Sequence, residues 1–113
     1  MPAMSPEQFL DPATHGFCRL AVAVPRIRVA DPQFNGEETV ALYRQAAAEG
    51  AVVAAFPELG LAAYTCDDLF HQSALLDGCE AALGQVIEAS RRLPTLAVVG
   101  LPVRGEQRLY NCA

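Results

Sequence analysis

The chain has 113 residues, 52% of them apolar and 19% charged, with a net charge of −5. That is a core-forming globular composition of a length suited to one small domain or part of a larger one, and its negative balance excludes the broad basic footprint of a nucleic-acid binder. No apolar run approaches the roughly 20 residues of a membrane span, and "MPAMSPEQFLDP" has no basic segment ahead of an apolar core, so no membrane partner and no secretory signal are predicted and the expected compartment is the cytoplasm.

Residues 1–16 are polar and rich in proline and turn formers, which predicts a loosely held arm. "FCRLAVAVP" places Leu20, Val22 and Val24 on one face, as in a strand buried on at least that side and ended by Pro25. The first helix has two candidate starts. Asn35 with Glu38 three residues on fits an N-cap and its acidic partner, and Asp31 before Pro32 competes one turn earlier. Val40, Tyr43 and Ala47 share its inner face, and Gly50 is the expected stop. "AVVAAF" then reads as a strand apolar on both sides, typical of a central parallel sheet covered on both faces.

Pro57 and Glu58 follow, and then "LGLAAYTCDDLFHQ", an irregular connection in which Asp67 and Asp68 are expected to cap a short helical turn. His71 on that turn reads as a solvated or capping histidine. Ser73 opens a second long helix with Leu76, Cys79, Leu83 and Val86 inward, Arg91 and Arg92 near its end, and Pro94 closing it. "LAVVGLPV" reads as one further buried strand, "RGEQ" as a turn, and "RLYNCA" as a strand pairing antiparallel, in which Asn111 is expected to satisfy backbone groups. The order β-α-β-α-β-β with short connections implies an α/β fold with a mostly parallel sheet. The last strand has hardly begun at Ala113, so the chain is read as part of a larger domain.

The chemistry-bearing residues are few. All eight basic residues are arginine, and lysine is absent. The four cysteines, at 18, 66, 79 and 112, show no C-x-x-C pair. Cys18, Cys79 and Cys112 are expected as small buried hydrophobes, and a metal site built from His15, Cys18 and distant partners is not predicted on such loose spacing. Glu58 stands out because a carboxylate among apolar neighbours is costly unless paired or neutralised. It follows a buried strand, at the sheet edge where α/β proteins bind ligands. It is either a surface glutamate at a loop start or a general base in a partly dry pocket with a raised pKa. Tyr64 either packs its ring with the phenol at the rim or lines a binding pocket.

"FPELGLAAYTCDDLF", with "HGFCRLAVAVPRIRVADP" before it and "LPVRGEQRLYNCA" after it, resembles the nitrilase, or carbon-nitrogen hydrolase, superfamily. More narrowly it resembles the glutaminase domains of glutamine-dependent NAD+ synthetases, from about His15 to the last residue. Ala63 departs from the glycine often found there before the tyrosine, a change expected to matter little. The resemblance implies residues 17–113 as the N-terminal part of a nitrilase-like α-β-β-α sandwich, incomplete here, behind an arm over 1–16. It also implies a Glu-Lys-Cys triad with Glu58 as the proton acceptor. In such domains a cysteine thiolate attacks the side-chain amide of glutamine, and a lysine stabilises the oxyanion. The ammonia released passes to a C-terminal synthetase domain, which uses ATP and Mg2+ to amidate nicotinic acid adenine dinucleotide to NAD+.

The family's lysine and nucleophilic cysteine lie downstream of the matched region. Cys66, eight residues past Glu58 on the same loop, is not expected to replace that cysteine. The chain by itself is therefore expected to be inactive and to hold no cofactor or metal. The resemblance also implies glutamine as substrate, Tyr64 as a liner of its pocket or of the ammonia exit, and homo-oligomers of the whole protein. The competing readings are another amidase of the superfamily without a synthetase domain, and a non-catalytic α/β piece with Glu58 merely on the surface.

Overall fold

The computed structural model describes residues 3–113, so the first two residues of the predicted arm lie outside the described part. The arm carries a short helix, α1 (Pro6–Leu10), started by Ser5 and Gln8, each of whose side chains accepts the other's backbone N–H. A 3-10 turn over Pro12–His15 follows. None of the residues in these two elements is buried, so the arm is locally folded yet adds nothing to the core.

Three short strands, β1 (Leu20–Val22), β2 (Val53–Ala55) and β3 (Leu96–Val98), form a parallel sheet with β2 in the middle. The connections run through α2 (Pro32–Ala48) and α3 (Ser73–Ser90). The register aligns Ala21, Ala54 and Ala97 in one row across the sheet. That row meets the helices: Ala54 is fully buried against a cluster containing Val40, Tyr43, Ala46 and Val86, with Ala21 and Ala97 packed beside it. Side chains one methyl long let both helices lie close to the strands.

The opposite face carries the large residues, and it is open. Leu20 is 65% exposed, Val22 85% and Leu96 59%. This corrects the expectation for β1, whose Leu20, Val22 and Val24 are not its packed face. It also corrects β2, which is covered on one side only within this chain. Side chains alternate across a strand, so covering one face with helices necessarily leaves the other row bare.

Of the two candidate helix starts, Asp31 is the cap. Its side chain accepts the Phe34 N–H at 3.1 Å, with Pro32 at the first helical position. Asn35 lies inside the helix and fully buried, so it is no N-cap. Its amide accepts from the Arg28 N–H at 2.7 Å and donates to the carbonyls of Arg28 at 2.9 Å and Leu61 at 3.2 Å. A buried amide is stable there because each of its polar groups is paired. A second buried set joins helix to sheet: the Tyr43 hydroxyl donates to the Thr95 carbonyl, and the Thr95 hydroxyl donates to the Ala51 carbonyl at 2.6 Å. Gly50 ends α2 with φ of +80°, as expected.

"LAVVGLPV" is two strands, not one. β3 stops at Val98, and β4 (Leu101–Arg104) pairs antiparallel with β5 (Leu109–Cys112) as a separate two-stranded sheet. The chain changes sheets at Gly100, which lies against the backbone of residues 57–59. Leu101 roots the hairpin on α3 by packing with Ala82 and Leu61. Arg104 adds an exposed ion pair to Asp77 of α3 at 2.7 Å.

Two further expectations change. Asp67 and Asp68 occupy the first turn of a 3-10 segment (Asp67–His71) whose cap position is Cys66, and no side chain caps it. Ser73 opens α3 as predicted, with Gln72 at the cap position. Cys18 is exposed and Cys112 only half-buried, whereas Cys79 is fully buried as predicted.

Candidate functional site

Glu58 lies three residues beyond the end of the central strand, at the carboxyl edge of the sheet. The loop it starts is folded tightly. The Gly60 N–H donates to the Pro57 carbonyl at 3.2 Å, and the N–H groups of Ala62 and Ala63 donate to Leu59 at 3.0 and 2.9 Å. Three more bonds tie the loop to different elements. The Asn35 amide of α2 holds Leu61, Gly100 accepts from the Leu61 N–H at 3.2 Å, and the Ala30 N–H donates to Ala62 at 3.0 Å. Leu59, Leu61, Ala62 and Ala63 are consequently buried while Glu58 and Tyr64 face out. The "LGLAA" segment is apolar because it is a packed plug beneath the carboxylate.

Backbone strain collects in this loop. Leu59, Ala63 and Asp67 all have positive φ, at 52°, 77° and 47°. Each such residue costs about 1–2 kcal/mol, and the conformation persists because the surrounding bonds over-determine it. Ala63 thus carries strain of its own, since it sits in the backbone region that glycine enters freely.

The Glu58 side chain is exposed, and its Oε1 accepts a hydrogen bond from the Asn111 side-chain amide at 2.5 Å. The residues of this chain do not enclose it in the dry pocket anticipated for a general base. Beside the pair lies a hollow of about 310 Å³ lined by Leu59, Asp67, Phe70, His71, Tyr110 and Asn111 among others. That is at the small end of ligand-pocket volumes. A larger depression, about 690 Å³, runs between α2 and α3 and is edged by Glu37, Arg44, Glu88 and Arg92. It lies on the helix side, and Glu58 does not line it.

Tyr64 is 64% exposed and lines neither hollow. Cys66 is fully buried in a cluster with Ala62, Leu75 and Cys79, its sulfur 3.0 Å from the Ala62 carbonyl oxygen. A thiol so placed has no route to a substrate at Glu58. Burial, with Cys66 nearby, pushes the Cys79 thiol up to about 11. Among the described residues no three His, Cys, Asp or Glu side chains cluster as a metal site would need, and no helix is long and apolar enough to cross a membrane.

Asn111 is the residue that sequence reasoning missed. It was expected to satisfy backbone groups and instead bonds Glu58, 53 positions away. Its one sequence signal is a carboxamide set in a strand otherwise written "LY…C".

The carbon-nitrogen hydrolase family profile matches residues 19–113. A glutamine-dependent NAD(+) synthetase of Mycobacterium tuberculosis is 37% identical over 99 residues, covering 88% of this chain and 15% of that protein. The corresponding protein of Mycobacterium leprae is 34% identical over 105 residues, again covering 15% of its length. The chain thus spans about one-sixth of the curated relatives it matches. Among solved structures, a glutamine-dependent NAD(+) synthetase from Cytophaga hutchinsonii superposes on 84% of this chain and 16% of its own, with a TM-score of 0.71 at 24% identity. An amidase from Nesterenkonia sp. superposes on 80% of this chain and 33% of its own, with a TM-score of 0.65 at 25% identity. These likenesses identify the α/β architecture as an incomplete nitrilase-like fold.

Proposed function

The chain belongs to the carbon-nitrogen hydrolase family, and on that premise we propose that it is the first part of a glutaminase domain feeding ammonia to NAD+ synthesis. The observation that carries this reading is the F-P-E-L-G-L segment in a chain 37% identical to a glutamine-dependent NAD(+) synthetase, with Glu58 at the carboxyl end of the central strand. Glu58 is the general base: its carboxylate takes the proton from a nucleophilic thiol and returns it to the leaving amine. The thiol and the oxyanion-stabilising lysine come from outside these residues, since the chain has no lysine and Cys66 is sealed in the core.

Tyr64, projecting beyond the plug, lines the glutamine pocket or the ammonia exit once the remaining domain closes over it. ATP and Mg2+ act in a separate synthetase domain. The hollow beside Glu58 is lined by Asp67 and by no arginine, which does not fit a nucleotide phosphate. The whole protein works in the cytoplasm as a homo-oligomer.

The test is NAD+ formation by the intact protein carrying this segment, supplied with glutamine or with ammonium. Glu58→Gln is expected to lower the glutamine-dependent rate by about 10²–10⁴-fold and to spare the ammonium-dependent one. An intact protein that forms no NAD+ from either source refutes the reading. The Nesterenkonia likeness supports one alternative, an amidase acting on another amide without a synthetase domain.

A further inference from the structure

Glu58 is referenced at both ends to the same β-hairpin. Its backbone lies against Gly100 at the root of β4, so closely that a Cβ there would stand 2.5 Å from the Leu59 nitrogen and 3.0 Å from the Glu58 carbonyl carbon. Its side chain accepts from Asn111 of β5, which pairs with Pro102 two residues beyond Gly100. The hairpin root is fixed in turn on α3 through Leu101 and the Arg104–Asp77 pair.

The partner's chemistry matters as much as its position. A carboxamide is a neutral donor, so it fixes the carboxylate plane without adding a neutralising charge. It bonds Oε1 only, and Oε2 accepts no hydrogen bond from the described residues. One oxygen is held and the other is left for the reaction.

Resting on the reading of Glu58 as the base, we propose that Asn111 is a positioning residue that orients the Glu58 carboxylate so that Oε2 faces the proton it accepts. An unheld glutamate would sample several rotamers, and a misplacement of about 1 Å at a reacting group costs on the order of 100-fold in rate.

The experiment uses the intact protein. Asn111→Ala is expected to lower kcat for amide hydrolysis about 100-fold with KM changed by less than about twofold. Asn111→Gln, which keeps the donor, is expected to recover at least about tenfold of that loss. A second measurement does not depend on activity or on the folding of the Asn111 variants. The side-chain NH2 resonances of Asn111 should be displaced from the exposed-amide position in the wild type and return to it in Glu58→Ala. An unchanged kcat in Asn111→Ala, a rise in KM alone, or amide resonances indifferent to Glu58→Ala overturns the proposal. A wild type that ignores glutamine but hydrolyses another amide refutes the glutamine reading, and the same kcat comparison on that amide then decides the role of Asn111. A wild type inert to every amide refutes both.

Discussion

Gly100→Ala perturbs the contact that sets Glu58 in place, and its cost follows from the distances. The added Cβ would lie 2.5 Å from the Leu59 nitrogen, 2.8 Å from the Pro57 carbonyl oxygen and 3.0 Å from the Glu58 carbonyl carbon. Ordinary contact begins at 3.4 Å, so the worst overlap is about 0.9 Å. All three atoms are backbone, and no rotamer change relieves them. Either the link between β3 and β4 withdraws or the Glu58 turn moves, and both routes strain the Leu61–Gly100 hydrogen bond. Overpacking of this kind costs about 3 kcal/mol, which at a slope near 2 kcal/mol per molar lowers the urea midpoint by about 1.5 M. The internal control is Gly84→Ala on α3, where nothing lies within 4 Å. That change should stabilise by about 0.5–1 kcal/mol, because alanine loses less backbone entropy on entering a helix. Urea unfolding of both variants in the intact protein, followed by circular dichroism, decides the matter. A Gly100→Ala midpoint within about 0.25 M of the wild type refutes the steric reasoning.

Asn35→Ala should cost about 2–4 kcal/mol, since it strands the backbone groups of Arg28 and Leu61 in a buried site; the same unfolding assay measures it, and a loss under about 1 kcal/mol would show those groups finding other partners. The Cys79 thiol, raised by burial from 9.0 to about 11, stays neutral at pH 8. Folded protein should therefore be alkylated by iodoacetamide at the exposed Cys18 well before Cys79, as peptide mass mapping would reveal. Because the folded value lies above the unfolded one, the stability contributed by neutral Cys79 is complete below about pH 9 and is lost as the pH rises through about 11, which alkaline melts would register. A polypeptide limited to these 113 residues, having no lysine and with Cys66 sealed in the core, should release no glutamate from glutamine in a coupled glutamate dehydrogenase assay.

By itself, the sequence determined the alternation of strands and helices, the parallel order through β2, the inner face of α3, the inward Val40 and Tyr43 of α2 (though not Ala46, which is buried where Ala47 was expected) and the place of Glu58 at the strand end. These are local properties, written in residue periodicity and in stop signals such as Gly50. It also carried the F-P-E-L-G-L segment that pointed to the family. Tertiary structure decided what depends on neighbours distant in the chain. Periodicity showed that β1 has two faces but not which the helices would cover, and the alanine row won because small side chains let α2 and α3 approach. Asn35 had the residue type of a cap, yet Asp31 with Pro32 had already begun the helix, which turned the asparagine inward to hold the loop beneath Glu58. Gly100 split a continuous apolar run because another backbone lies against it. Asn111 met Glu58 only when a hairpin folded across 53 residues of chain, a pairing that no local pattern encodes.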